Sequence, residues 1–188
     1  MSSAAGSGES WRGRKTGAMS REEMNAFLAE PWIARLACLK PDGSPYIVPA
    51  WYHWDGLAFW FVARERSAWA HYIARDPRVS VVVDEPVPPI RKVMAEGTAL
   101  IVEAAVGPYL ENGDMSLWNR IGTNHTGPKY RESYHTEEYR DSVSHEPCWT
   151  IKVVPRKLTT WQGLAWAKRY YHDELKGSAP GTGAGSIG

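Results

Sequence analysis

The sequence carries almost no net charge: 22 Lys and Arg stand against 21 Asp and Glu in 188 residues. That balance excludes the polybasic field with which proteins hold nucleic acid or an anionic membrane surface. No run approaches the ~18 consecutive apolar residues of a membrane-spanning helix. The first twenty residues lack the apolar centre of a secretory signal. Only two cysteines are present, Cys38 and Cys148, too few for a disulfide framework or a four-thiolate metal site. These absences point to a cytoplasmic protein whose partner is a small molecule, with neither nucleic acid nor membrane involved. Phenylalanine is scarce as well, three residues, while tryptophan numbers ten. Tryptophan is large and flat and carries one N–H donor, which suits cores, subunit interfaces and stacking on planar ligands.

The common catalytic signatures are missing too. Among His53, His71, His125, His135, His145 and His172, no two have the H-x-x-x-H spacing that sets two ligands on one helix face. Glu132-Ser133-Tyr134-His135 supplies one E-x-x-H where a di-metal bundle needs two. His145-Glu146-Pro147-Cys148 lacks the second cysteine of a zinc deaminase. No metal site is expected. There is no G-x-S-x-G nucleophile elbow, and Cys38, in an apolar run, reads as a buried small hydrophobe. Gly183 to Gly188 spells G-x-G-x-x-G, but no strand precedes it and no helix follows, so it is not a dinucleotide site.

What is present is β-rich and punctuated by turns. Residues 1–18 and 176–188 are Ser/Gly/Ala-rich and aperiodic, and read as disordered tails around one domain, 19–175. A helix is expected over Ser20–Glu30: Ser20 and Glu23 make a capping box, Met24, Phe27 and Leu28 share a face, and Pro31 stops it. Strands follow at Trp32–Leu39, Tyr46–Trp54 and Leu57–Ala63, separated by Pro41-Asp42-Gly43 and Asp55-Gly56. Ser67–Arg75 reads as a short helix, Val79–Asp84 as a buried strand, and Glu85–Pro89 as a Pro-rich loop. Ile90–Glu103 reads as a long strand with a bulge or bend at Gly97. Tyr109–Ser144 is polar and partly helical, and two more strands follow, Cys148–Val154 and Leu158–Trp161. Short loops between mostly antiparallel strands favour a barrel over a sandwich.

One turn carries a chemical signal. Arg64-Glu65-Arg66-Ser67 lies between a strand and a helix, with Ser67 in the capping position. Free N–H groups at a helix start and two guanidiniums make an anion site suited to a phosphate. Arg91 and Lys92, adjacent on a strand, face opposite ways, so one can reach a ligand while the other meets solvent.

Taken in order, Pro31-Trp32-Ile33-Ala34-Arg35-Leu36-Ala37, Pro49-Ala50-Trp51-Tyr52, Phe61-Val62-Ala63, Ser67-Ala68-Trp69 and Asp76-Pro77-Arg78-Val79 resemble the pyridoxamine 5'-phosphate oxidase-like flavin-binding split-barrel superfamily. Arg91-Lys92-Val93-Met94-Ala95-Glu96-Gly97 is similar to its R-Q-V-x-x-x-G strand, and Trp161-Gln162-Gly163 to its W-Q-G. The resemblance runs from about Ser20 to Tyr171. It implies a mainly β (α+β) fold, a six-stranded antiparallel split barrel with a few short helices, assembled as a homodimer with the cofactor in a groove between subunits. Ile47, Val48, Pro49 and Ala50 would then offer backbone groups to the isoalloxazine ring, and Val62 and Ala63 would line the ring and ribityl chain. Ser67 and the turn before it would bind the phosphate. Lys92, with Arg91, would reach the phosphate or ribityl region. Trp161 would close the site from the partner chain, with Arg169 a further contact.

Four departures bear on function. The superfamily has Thr where this chain has Ala63, and Lys or Arg where it has Trp69, which leaves Arg64 and Arg66 as the substitute phosphate ligands. Trp51 stands where the vitamin B6 oxidases have a substrate-contacting Lys. Their C-terminal R-L-H-D-R is not reproduced by Ala165-Trp166-Ala167-Lys168-Arg169. The resemblance therefore implies the flavin/deazaflavin oxidoreductase branch rather than pyridoxine-phosphate oxidation. The resemblance implies FMN or the 8-hydroxy-5-deazaflavin coenzyme as cofactor, with a non-catalytic flavin- or haem-binding module as the remaining alternative. Tyr52 and His53 are the candidate proton donors.

Overall fold

The structure is a computed structural model that describes residues 17–86, 90–134 and 145–163, with only the backbone of 131–134. The Pro-rich 87–89, both chain ends, Arg169, Trp166 and the terminal glycine motif lie outside the described residues.

Helix α1 (Arg21–Ala29) starts as its sequence dictates. The Ser20 hydroxyl accepts from the Glu23 N–H at 3.2 Å, and the Glu23 carboxylate accepts from the Ser20 N–H at 2.6 Å. Two otherwise unpaired N–H groups are thereby satisfied. Met24, Phe27 and Leu28 are buried against the sheet.

Strands β1 (Ala34–Leu39) and β2 (Pro45–Ala50) form a hairpin. Its turn puts Gly43 at φ +82°, a conformation that glycine reaches without a Cβ clash. The short β3 (His53–Trp54) pairs with β4 (Phe59–Arg64) across the Asp55-Gly56 turn. Helix α2 (Ala68–Arg75), β5 (Arg78–Asp84) and the long β6 (Arg91–Val106) follow. Then come α3 (Leu117–Ile121), a π-helical turn (Gly122–Thr126), α4 (Gly127–Tyr134) and β7 (Cys148–Gln162).

The seven strands lie in the order β2-β1-β5-β6-β7-β4-β3, each neighbouring pair antiparallel. This is the antiparallel split barrel with short helices, with seven strands where the resemblance implies six. Tyr46–Trp54, which the sequence suggests is a single strand, is two. The chain instead leaves β2 at Ala50 and joins the opposite end of the ladder at His53. The two end strands are thus consecutive in sequence, and Trp51-Tyr52 bridges the split. As an end strand, β2 tolerates Pro45 and Pro49, because a missing N–H costs nothing on an unpaired edge.

Tyr52 fixes that bridge. It is fully buried, its hydroxyl donates to the Leu28 carbonyl at 3.0 Å, and its ring lies 5.5 Å from that of Phe59. The core behind it alternates along the strands: Phe59, Phe61 and Ala63 of β4, Val81 and Val83 of β5, and Ile151 and Val153 of β7 point inward.

The last two expected strands are one. β7 passes through Pro155, which sits opposite Gly97 where the β6–β7 register slips. A Cβ on Gly97 would press into the Val154 carbonyl, so this residue is glycine because of a close backbone approach. Gly17, assigned to the tail by composition, exchanges both backbone hydrogen bonds with Gln162, at 2.9 and 2.8 Å. Helix α3 draws its capping partner from a distance. The Ser116 hydroxyl does not cap it; the Glu103 carboxylate on β6 accepts from the N–H groups of Leu117 and Trp118 at 2.8 and 3.2 Å.

Candidate functional site

Where the ends of β2 and β4 meet the start of α2, a cavity of about 430 Å³ opens. Pockets for small organic ligands and cofactors are commonly ~300–1,000 Å³. Its wall is apolar over Ile33, Pro49, Ala50, Trp51, Val62, Ala63 and Trp69, and polar at Arg64 and Ser67. The β4–α2 turn brings these two polar residues together. The Arg64 carbonyl accepts from the Ser67 N–H at 2.9 Å, which closes the turn tightly just before the helix.

Ser67 occupies the capping position of α2, but its side chain makes no capping hydrogen bond. The sequence suggests a capping hydroxyl; the structure instead leaves that hydroxyl on the cavity wall. Arg64 is half-buried and pairs with Glu146 at 3.3 Å. Arg66 pairs with the same carboxylate at 3.2 Å, has 71% of its side chain exposed, and does not line the cavity. Trp69 is buried in the core, with its outer surface on the cavity.

The other candidates lie elsewhere. Ile47 points outward and is 65% exposed, while Val48 faces the core. Neither lines the cavity, so only the second half of the Ile47-Val48-Pro49-Ala50 segment does. Lys92 and Trp161 face each other across the β6–β7 ladder, both half-buried, away from the cavity wall. Arg91 is committed to the fold. Its guanidinium donates to both oxygens of Glu30 at 2.6 and 2.8 Å and to both oxygens of the buried Glu85 at 3.0 and 2.6 Å. Its carbon atom also sits 4.8 Å above the Phe27 ring. These bonds to Glu85 and Glu30 push its pKa upward. Arg91 therefore ties α1 to the start of β6 and has no guanidinium edge for a phosphate at the cavity.

The candidate proton donors are also displaced. Burial pushes the Tyr52 phenol far above its usual range, and its proton is directed at Leu28. His53 is half-buried and stacks on His125 at 3.8 Å, with the rings 14° from parallel. Burial first, then the neighbouring His125, holds its pKa below the ordinary histidine value. Neither residue lines the cavity.

Sequence reasoning missed two wall residues as ligand contacts. Ile33 lies in no chemical motif. Trp51 stands out in the sequence only as a departure from the family pattern, yet it lines the cavity and its ring stacks on Tyr130 of α4 at 5.0 Å, 11° from parallel. Tyr130 in turn donates to the Trp32 carbonyl at 2.9 Å, so the insertion after β6 backs the cavity wall. No cluster of three or more His, Cys, Asp or Glu that could hold a metal occurs among the described residues.

An open cavity lined by seven apolar residues and by Arg64 and Ser67, cut into an antiparallel split barrel, has the size and mixed lining of a small-ligand site. The chain belongs to the pyridoxamine 5'-phosphate oxidase family, whose profile matches residues 20–144. No curated protein matches it. Among solved structures, a FAD-binding protein of Mesorhizobium loti aligns over 81% of this chain and 100% of its own, at 19% identity and TM-score 0.56. An F420 reductase aligns over 71% and 94%, at 21% identity and TM-score 0.53. The haem storage protein HutZ of Vibrio cholerae aligns over 76% and 95%, at 17% identity and TM-score 0.56. At such identities the likeness is one of fold, and that fold hosts more than one cofactor chemistry. The residues on the cavity wall fit a flavin-type group: apolar faces for a tricyclic ring, and Arg64 and Ser67 for an anionic tail.

Proposed function

We propose that the protein is an oxidoreductase that binds FMN in this cavity. Bound FMN would supply hydride transfer, the chemistry residing in the cofactor and the orientation in the protein. Pro49, Ala50, Val62 and Trp51 exclude water from the ring, and Trp69 supports it from the core side. Ser67 and Arg64 take the phosphate, with Arg66 joining from the turn. The working unit is a homodimer in which Lys92 and Trp161 of the second copy close the open side of the groove. Arg169 is a further contact in this reading.

The observation that carries it is the pairing of an apolar slot with a Ser67 hydroxyl that caps nothing, beside Arg64. The F420 reductase of the same fold supports a second reading, in which the deazaflavin coenzyme replaces FMN and the same residues hold its phosphate end. The test is the absorbance of the purified protein, the mass of the ligand extracted from it, and turnover with a reductant. A flavin spectrum with the mass of FMN is expected. The deazaflavin mass selects the second reading. A haem spectrum, or bound flavin without turnover, replaces the oxidoreductase with a binding module.

A further inference from the structure

Beside the Arg64–Ser67 end of the cavity stands an anion of the protein's own. Glu146 Oε2 pairs with Arg64 Nη1 at 3.3 Å, and Glu146 Oε1 with Arg66 Nη2 at 3.2 Å. Two guanidiniums converge on the two oxygens of one carboxylate, an arrangement that a phosphoryl group can take over with its own oxygens. The juxtaposition is built into the backbone. Arg64 pairs with Cys148 across the β4–β7 ladder, and the Pro147 carbonyl accepts from the Glu65 N–H at 2.9 Å. Residue 146 is therefore anchored beside the Arg64–Ser67 turn. With 34% of its side chain exposed, the carboxylate has room to swing toward solvent.

We propose that Glu146 is a resident competitor for the ligand's phosphate. It gathers Arg64 and Arg66 and gives them up when a phosphate enters, and so sets how strongly a phosphorylated ligand is preferred over its dephosphorylated form. This rests on the reading of the cavity as a phosphorylated-flavin site. The charges give the reason. One carboxylate cancels half of the arginine pair, whereas a phosphomonoester brings about −1.5 to −2 at pH 7. The arginine pair thus undercompensates the phosphate while Glu146 stays in place. It compensates fully once that side chain is neutral or displaced.

The test is parallel titration of the full-length apo-protein with FMN and with riboflavin, for wild type, Glu146→Gln and Glu146→Asp. Gln keeps the size and one acceptor oxygen but removes the charge. Relieving two partly exposed ion pairs should tighten FMN about two- to tenfold. Riboflavin should be unchanged, and its unchanged affinity also shows that the variant is folded. FMN binding by Glu146→Gln should weaken more steeply with salt than in wild type, because one more unbalanced positive charge faces the ligand. Glu146→Asp keeps the charge and should stay near wild type. The inference is overturned if Gln leaves FMN affinity unchanged or lowers it with riboflavin constant, or if Asp tightens FMN as much as Gln does. If neither flavin binds any of the three proteins, the flavin reading itself fails, and the inference with it.

Discussion

At the scale of single residues, two side chains separate ligand binding from stability. Ser67 makes no capping hydrogen bond, so Ser67→Ala should leave the unfolding midpoint of the apo-protein unchanged. Loss of a hydrogen bond to a charged phosphate should nonetheless weaken FMN by roughly 1.5–3 kcal/mol. Riboflavin, lacking the phosphate, should bind both proteins alike. A fall in stability without a fall in FMN affinity would return the hydroxyl to a structural role. Lys129 works the other way. Its amine donates to the Leu28 carbonyl at 2.8 Å and lies 3.5 Å from the centre of the Tyr52 ring, and burial pulls its pKa down to about 7. In the unfolded chain a lysine titrates near ~10.4. Between those values the unfolded state holds the proton more tightly, so stability should rise with pH from about 7 toward about 10. The cost of burying the charged amine is present in full below pH 7. Lys129→Met removes that cost, and the Leu28 carbonyl keeps the Tyr52 hydroxyl as its donor. The variant should be more stable at neutral pH, with a flatter profile in urea melts at about pH 7 and 9.5. An equal rise in both proteins would assign the slope to another group.

Elements depend on how far apart in sequence their partners lie, and that distance decides what a reader of the sequence can see. The capping box of α1, the Gly43 and Gly56 turns and the glycine of the β6–β7 bulge are local or nearly so, and each is legible in a few residues. The anion turn at Arg64–Ser67 is legible for the same reason, and the family resemblance adds Pro49, Ala50, Val62 and Ala63 to the same wall. Glu146 stands 82 residues from Arg64 and Glu30 stands 61 from Arg91, and no local pattern announces either pairing. The same blindness hides the break between β2 and β3, since alternation continues through Tyr52 while the chain changes sides of the barrel. Arg91 is where this matters most, because Arg91-Lys92 at a strand start looks like a ligand contact and acts as a rivet between α1, Glu85 and β6. Arg91→Met leaves two carboxylates without their cation and should destabilise the fold by roughly 3 kcal/mol. In the native protein burial alone would raise the Glu30 pKa, but its bonds to Arg91 and Trp32 outweigh that and hold it below the ordinary value. Such a carboxylate contributes stability above its unfolded pKa and loses it as pH falls through the lower folded one. Arg91→Met should therefore flatten the acid limb of the stability profile while FMN affinity stays within about twofold of wild type, since a phosphate contact would cost more. A large loss of FMN affinity in a folded variant would put Arg91 back at the ligand.

At the scale of the whole molecule, the homodimer proposed above needs a surface, and the described residues offer one on the outer face of β6 and β7. Along β6, Met94, Leu100 and Val102 project from the outer face at 36%, 51% and 46% exposure. Val154 of β7, 42% exposed, sits beside Thr98 in the same row. Glu96, paired with Lys157 at 3.3 Å, and Lys152, opposite Leu100, are charged positions beside it. Exposed apolar residues on one strand face are candidates for a subunit interface, whose centres are depleted of charge. The same ribbon carries Lys92 and Trp161 at its far end, the two residues expected at the ligand but absent from the cavity wall of their own chain. In the proposed homodimer, these two residues are the ones a second copy would contribute. Tryptophan contributes less to this surface than its abundance suggests: Trp69 is in the core, Trp51 is stacked on Tyr130, and the Trp60 indole donates to Asp55 at 2.6 Å. Light scattering at micromolar concentration should give twice the chain mass. The double variant Leu100→Glu/Val102→Glu should give a monomer that keeps the wild-type circular dichroism spectrum, because both positions face solvent in the single chain. That monomer should also bind FMN more weakly, by a factor comparable to that of Trp161→Ala in the intact dimer. A wild-type monomer would remove the interface. A monomeric variant with undiminished FMN affinity would keep the dimer but place the whole ligand site within one chain.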